Sequence, residues 1–389
     1  MQSLPEKLIR KMHQRKSEQA LRRLVVRDNY IDFTSNDYLG FSRSHELYRN
    51  IDNYIKENQY FLNGATGSRL LTGHHSLNEE IENYLSEYYA CEAALVFNSG
   101  FLANLGILAS LPQRNDLVIY DEVSHASIRD GLSLCRAKSL KFKHNDLLDL
   151  KKVIRRAKQT SGEKIDCIYI VTESVFSMDG DSPDLMALTE LSDDENCRLI
   201  IDEAHALGIF GSRGRGLIED ANLSAHIFAR IVTFGKAMGC HGAAILGSKQ
   251  LSDYLVNFAR SFIYTTAPSP HSLCSILMAH KYLDSDSGSG ARKKLMERIA
   301  YFKEIVAENS MENRFILSDS AIQSCVVPGN SNVINISESL IDQGYDVRPI
   351  LAPTVASNSE RLRFCLHSFN TEKEIKNALN ILSERLIKI

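Results

Sequence analysis

Between Ala93 and Leu246, short runs rich in β-branched residues alternate with longer stretches of helical period. That alternation is the sequence form of a mostly parallel sheet with helices on both faces. The expected strands are Ala93–Phe97, Leu117–Tyr120, Leu140–Lys143, Ile165–Thr172, Leu199–Asp202, Ile231–Phe234 and Ala243–Leu246, which makes seven. Almost every one runs straight into polar or glycine-containing residues. In open α/β sheets ligands bind beyond the carboxyl ends of the strands, so those junctions are where chemistry is sought.

The pattern changes at the polar run DSDSGSG (284 to 290), which predicts a boundary. A helix over Ala291–Asn309 follows, with Leu295, Ile299, Phe302 and Val306 as one apolar stripe. Short strands are expected around Val333–Ile336 and Leu362–Leu366. The chain closes with a helix opened by the capping box Thr371-x-x-Glu374, its Ile375, Leu379, Leu382 and Leu386 turned inward. These elements describe a smaller C-terminal α+β domain. At the other end Leu4, Leu8, Met12 and, further on, Ala20 and Leu24 fall near helical spacing, so an amphipathic N-terminal helix is expected to pack on that domain. The predicted organisation is an N-terminal helix and arm over 1–45, a large domain over 46–284 and a small domain over 285–389. There is no internal repeat.

Composition narrows the function classes. The 389 residues are 44% hydrophobic and 24% charged, the make-up of a globular chain with a substantial core. The net charge of −3 provides no general polycation for nucleic acid or an anionic membrane. The run GSRGRG (211 to 216) lacks the aromatic interleaving of a nucleic-acid site and reads as a surface loop. No apolar stretch approaches the ~18 residues a membrane span needs, and Met1–Arg23 lacks a secretory apolar centre and carries Glu6 and Glu18, so a cytoplasmic location is expected. The eight cysteines are scattered without zinc spacing and read as reduced thiols. His45-Glu46 and His74-His75 have no third ligand at suitable spacing, and no metal is expected.

The most informative pair is Asp202, ending the strand Arg198-Leu-Ile-Ile-Asp202, and Lys236, just past the strand Ile231-Val-Thr-Phe234. Opposite charges placed where burial is expected need a reason. Burial disfavours a lysine's ammonium form, leaving an amine able to condense with an aldehyde. A carboxylate facing a pyridine nitrogen keeps that ring protonated. Such a pair alone is far more often an ordinary strand-end salt bridge; its company shifts the balance. Asn98-Ser99-Gly100-Phe101 follows a strand and opens a helical run, so its amides suit a phosphate. His125 can stack on a planar ring, and His205 can donate to a ring hydroxyl. Together these residues describe a pyridoxal 5'-phosphate site.

The blocks SNDYLG (35 to 40), GATGSRLLTGHHSLNEEIE (64 to 82), NSGFLAN (98 to 104), SHAS (124 to 127), ESVFSMDGD (173 to 181), IDEAHALGIFGSRGRG (201 to 216), VTFGKAMGCHGAA (232 to 244) and FIYTTAPSP (262 to 270) span most of the chain. In them the sequence resembles the α-oxoamine synthases, the acyl-CoA-using branch of the fold-type-I pyridoxal phosphate transferases. Within that branch, HND (144 to 146), TFGK rather than TFSK, and the tail APTV…RLRFCLHSFNT look most like the members that open biotin ring assembly by joining L-alanine to a pimeloyl thioester on CoA or a carrier protein.

The resemblance implies that Lys236 bonds the cofactor aldehyde and Asp202 partners the ring nitrogen. It implies that His205 and Ser177 contact the cofactor, that Thr233, Gly100 and Phe101 surround its phosphate region, and that His125 stacks on the ring and approaches substrate. Arg363 matches the position that grips the amino-acid carboxylate, and Thr354 and Arg22 match substrate-contacting positions. The family is dimeric with shared active sites, which implies that Thr265 or Thr266 reaches the neighbouring subunit's phosphate. One departure stands out: members commonly read IRPPTVP where this chain has Ile350-Leu-Ala-Pro-Thr-Val-Ala356, so Leu351 replaces an arginine. Arg348, Arg22 and Arg23 are the cations that could meet a pimeloyl carboxylate instead. Relatives of the same chemistry would pair glycine with acetyl-CoA or succinyl-CoA, serine with a long acyl-CoA, or use cysteate. A non-catalytic partner protein of the same fold is opposed by retention of Lys236, Asp202, His125 and His205 together.

Overall fold

The computed structural model describes residues 3–18, 20–22, 24–26, 28–160 and 164–387. The chain divides into two compact units, one comprising Asn36–Ser177 and Asp181–Lys294, the other Met1–Ser35, Met178–Gly180 and Leu295–Ile389.

The larger unit is built on a seven-stranded sheet. Its order is Ala93–Phe97, Ala243–Gly247, Ala229–Thr233, Arg198–Asp202, Ile168–Glu173, Leu117–Asp121 and Lys138–Phe142. The strand Ala243–Gly247 is antiparallel to both neighbours, and the remaining pairings are parallel. Side chains alternate across a strand, so a strand buried on both faces sends neighbours into different cores. Val118 and Ile200 join one cluster with Ala103 and Ile107 of the helix Gly100–Ser110 and Ile128 of the helix Ala126–Leu134. Leu117, Ile119, Leu199 and Ile201 join the other, with Leu150 and Ile154 and with Leu188 of the helix Leu185–Asp194. Truncating Ile200 or Ile201, respectively 1% and 0% exposed, to Ala is expected to cost ~2–5 kcal/mol.

Because the strands Leu117–Asp121, Ile168–Glu173 and Arg198–Asp202 run parallel, their last residues share one sheet edge. Each of the three ends on a carboxyl group.

The smaller unit contains a three-stranded antiparallel sheet, ordered Arg348–Ile350, Arg361–Cys365 and Ile322–Val326, with Leu362 opposite Cys325 and Pro349. The last helix is Glu372–Leu386, and its capping box is formed: Thr371 Oγ1 accepts from the Glu374 amide at 3.2 Å while Glu374 Oε2 accepts from the Thr371 amide at 2.7 Å. Ile375, Leu379 and Leu382 are buried and Leu386 is half-buried.

Three expectations are corrected. Val333–Ile336 is not a strand but part of the helix Asn330–Asp342. Its β-branched residues favour a strand locally, yet the buried positions Val333, Ile336 and Leu340 follow helical spacing, and burial decides. The helix expected over Ala291–Asn309 takes in most of the DSDSGSG run: Ser285 Oγ accepts from the Gly288 amide at 3.2 Å, capping a helix that begins at Asp286 and runs to Glu308. Gly288 is needed there because a Cβ would collide with the Tyr282 carbonyl oxygen at the end of the preceding helix. The stripe Leu295, Ile299, Phe302 and Val306 is buried as expected. Finally, the N-terminal helix Glu6–Ser17 buries none of its residues, and Leu4, Leu8 and Met12 stand 59%, 38% and 51% exposed. Its polar face outweighs a stripe this short, and among the described residues no core covers it.

No helix among the described residues is long and apolar enough to cross a membrane. All eight cysteines are free thiols.

Candidate active site

The carboxyl edge of the large sheet opens into a cavity of about 280 Å³, at the small end of the range for ligand sites. Gly100, Phe101, His125, Asp202, His205, Thr233 and Lys236 all line it, with Asn36, Asn104, Ser127 and Glu173 among the others. Ser177, expected with them, is not among the lining residues; it is half-buried a few residues beyond the strand Ile168–Glu173.

Most of the lining residues follow the carboxyl end of a strand. After Phe97, Ser99 caps the helix Gly100–Ser110, its Oγ accepting from the Leu102 amide at 3.2 Å. The Gly100 and Phe101 amides fall in the first turn, where a helix offers no acceptor of its own. A Cβ at position 100 would run into the Thr233 methyl, so glycine is what keeps this corner open. After Thr233, buried Phe234 anchors a tight loop. Its amide donates to the Gly242 carbonyl at 2.9 Å, its carbonyl accepts from the Cys240 amide at 2.7 Å, and the Gly239 amide donates to the Lys236 carbonyl at 2.8 Å. The loop presents Lys236, whose Nζ donates to Thr233 Oγ1 at 3.4 Å.

Asp202 and Glu203 are both buried and play opposite parts. Glu203 accepts from Arg230 Nε at 2.8 Å and from the Ile218 amide at 3.0 Å, an ion pair closed within the fold. Asp202 instead lines the cavity. Its Oδ2 accepts from Asn104 Nδ2 at 2.7 Å and its Oδ1 from the Ala204 amide at 2.9 Å, so both oxygens are met by N–H donors. Asn104 Nδ2 also donates to Ser127 Oγ at 3.0 Å, and that hydroxyl stands 2.8 Å from His125 Nδ1. The Ser127 amide donates to the same nitrogen at 3.2 Å. With Nδ1 accepting, the bonding pattern assigns Nε2 as the N–H of His125. Burial lowers the His125 pKa; Asp202 opposes this shift and Lys236 adds to it. The neutral imidazole is therefore the resting form near pH 7. His205 is tied through Nδ1 to the Tyr38 hydroxyl at 2.8 Å, which in turn donates to Asn36 Oδ1 at 3.0 Å.

Two roomier clefts on this unit lack such chemistry. In one of about 440 Å³, Arg69 is clamped by both oxygens of Glu82; in one of about 600 Å³, Arg230 is held by Glu203.

The donor set fits pyridoxal phosphate. Gly100, Phe101 and Thr233 provide a corner for a phosphate, Asp202 an anion for a ring nitrogen, His125 an imidazole, and Lys236 the amine. Sequence reasoning gave no role to Asn104, Ser127, Tyr38, Asn36 or Glu173. All five lie in the matching blocks NSGFLAN, SHAS, SNDYLG and ESVFSMDGD, which was the only signal for them.

The residues expected to contact substrate belong to the smaller unit. Arg363 sits on the central strand Arg361–Cys365, opposite Arg348 and Ser324, and donates to Cys365 Sγ at 2.8 Å. Thr354 is exposed in the turn after Pro353, Arg22 is exposed beyond the N-terminal helix, Leu351 is half-buried, and Arg23 lies outside the described residues.

The profile of the family "Aminotransferase class I and II" matches residues 28–382. The 8-amino-7-oxononanoate synthase of Emericella nidulans is 35% identical over 389 residues, covering 96% of this chain and 94% of its own. A solved 8-amino-7-oxononanoate synthase from Francisella tularensis is 31% identical, with a TM-score of 0.77 over 93% of this chain and 99% of its own. A serine palmitoyltransferase variant from S. paucimobilis, solved with bound PLP and myriocin, has the same fold: TM-score 0.88 at 23% identity, over 100% of this chain and 99% of its own. A cavity formed by strand ends, with lysine, aspartate and histidine held around it, thus lies in a chain similar to these enzymes along nearly its whole length, and this chain belongs to the aminotransferase class I and II family.

Proposed function

We propose that the protein joins L-alanine to a pimeloyl thioester, releasing CoA (or the carrier thiol) and CO2 and giving 8-amino-7-oxononanoate, a step of biotin synthesis. The observation that carries the reading is the presence of Lys236 and Asp202 in one cavity, with Asp202 held by Asn104. Full-length similarity to enzymes of that name supports the choice of substrates.

Bound pyridoxal phosphate supplies an electron sink for a carbanion at the alanine Cα. The other roles belong to the chain. Asp202 keeps the ring nitrogen protonated. The Lys236 amine would be the group that bonds the cofactor's aldehyde and, when free, the base that takes the Cα proton. The carbanion attacks the thioester carbonyl, forming the C–C bond as the thiolate leaves. His125, donating from Nε2, stabilises charge on that carbonyl oxygen and later on the β-keto acid, whose carboxylate departs as CO2. Lys236 returns a proton to carbon. Arg363 grips the alanine carboxylate, and Thr354 and Arg22 contact substrate. Arg348 or Arg22 meets the distal pimeloyl carboxylate where Leu351 cannot.

We further propose a cytoplasmic homodimer with shared active sites. Its support is a groove of about 430 Å³ lined by Leu70, Leu71, Ile263, Tyr264, Thr265 and Thr266, in which Leu71 and Tyr264 are 80% and 72% exposed.

The test is thiol release from acyl-CoA donors across a panel of amino acids. Alanine with pimeloyl-CoA is expected to give the highest kcat/KM; a preference for glycine or serine, or for an acyl chain without a terminal carboxylate, would overturn the substrate reading.

A further inference from the structure

We propose that Glu173 is a positioning residue of this site: as an uncharged acceptor it holds the His125 backbone amide beside Asp202 without adding a second negative charge to the described cavity lining. The inference rests on reading the cavity as the cofactor site.

Glu173 and Asp202 are register partners on adjacent parallel strands, so their side chains leave the sheet on the same face. Both line the cavity, at 2% and 5% exposure. Two carboxylates so placed resist ionising together, and the proton settles on the one whose anion is worse solvated. Asp202 accepts donated hydrogen bonds on both oxygens. Glu173 receives the His125 amide on Oε1 at 2.6 Å, and no guanidinium or imidazole side chain pairs with it among the described residues. The groups that face it are Asp202, Asp121, Lys236 and the His125 amide. Burial, reinforced by the Asp202 and Asp121 charges, raises the Glu173 pKa to about 8 against the pull of the amide and Lys236.

The geometry gives the proton a purpose. The amide that Glu173 holds belongs to the residue whose imidazole caps the helix Ala126–Leu134, so the carboxyl fixes where that ring begins. An uncharged acceptor does this without adding a second negative charge beside Asp202. A second charge would raise the proton affinity of His125 and repel the carboxylates of both substrates. Above the Glu173 pKa that charge appears, and the site should lose activity.

The test compares wild type, Glu173→Gln and Glu173→Ala, each as full-length protein with and without pyridoxal phosphate. Infrared difference spectra of wild type minus Glu173→Gln at pH 6.5 should show a protonated carboxyl C=O band that vanishes as pH passes through about 8. A carboxylate band at pH 6.5 would overturn the proposal. This readout involves no substrate, so its failure is distinct from failure of the proposed reaction. In the pH–rate profile, wild type should have an alkaline limb with its midpoint near 8 that Glu173→Gln lacks; the same limb in both would contradict the assignment. At neutral pH Glu173→Ala, which strands the His125 amide, should lose roughly tenfold more kcat than Glu173→Gln, whose amide oxygen accepts the same bond. Equal losses would contradict the positioning role, because the accepted bond would then contribute nothing.

Discussion

Two groups of carboxyls, buried or half-buried, stand at the same edge of the large sheet and solve the same electrostatic problem differently. Asp121 and Asp181 are bridged by His144, whose Nδ1 lies 3.0 Å from Asp121 Oδ1 and whose Nε2 lies 2.8 Å from Asp181 Oδ2. Asn145 seals the arrangement, its amide on Asp121 at 3.0 Å and its Nδ2 on Asp181 at 2.7 Å. Despite burial, the two carboxylates raise the His144 pKa to about 9, so the fold provides its own cation. Among the described residues Asp202 and Glu173 have no such bridge: neutral N–H donors meet both oxygens of Asp202, and Glu173 retains its proton. A carboxyl group neutralised from within is structural, whereas one held ionised towards a cavity awaits a charge from elsewhere. That distinction separates the site from the scaffold more sharply than burial does, since Asp121 and Asp202 are both buried.

The largest effect that sharpens this contrast belongs to Lys236. Lys236→Ala removes both the cofactor's attachment and the proton acceptor, and should lower thiol release with alanine at least roughly a thousandfold. Asp202→Asn keeps the shape but not the charge. It should slow turnover roughly a hundredfold or more while pyridoxal phosphate still binds, measured by steady-state kinetics beside the cofactor's absorbance.

The His144 group should behave in the opposite way. His144→Ala strands two acids and is expected to cost ~3 kcal/mol in urea unfolding, with little change in kcat for the folded fraction. Its pH signature has a definite sign. Because the folded pKa lies above the ordinary 6.5, the stabilisation is complete below about pH 6.5 and disappears as pH rises through about 9. Wild type should therefore lose stability over that window, and His144→Ala should lose less. Equal pH slopes would break the comparison. The smallest effect concerns the surface groove: Leu71→Glu should weaken self-association by roughly tenfold or more in sedimentation equilibrium without unfolding the chain.

Much of this was legible in the residues. All seven strands of the large sheet were expected at or near their places, because buried parallel strands write themselves as short β-branched runs between turns. Asp202 and Lys236 stood out because charges at such strand ends are costly. Glu173 and Asn104 did not: their meaning depends on which strands become neighbours, and no spacing along the chain places Glu173 beside Asp202 or Asn104 across from it. The segment Val333–Ile336 failed for the converse reason, its local preference for a strand yielding to a helical face that tertiary burial selects. The start of the helix Asp286–Glu308 was placed at Ala291 because a serine that caps a helix and a serine in a polar loop look alike until the following turn is formed.

The account depends most directly on where pyridoxal phosphate is attached. Borohydride reduction of the yellow protein, followed by proteolysis and mass spectrometry, should put a pyridoxyl group on the peptide containing Lys236, and Asp202→Asn should keep it there. A label on another lysine, or protein that is colourless and unlabelled after incubation with the cofactor, would contradict it.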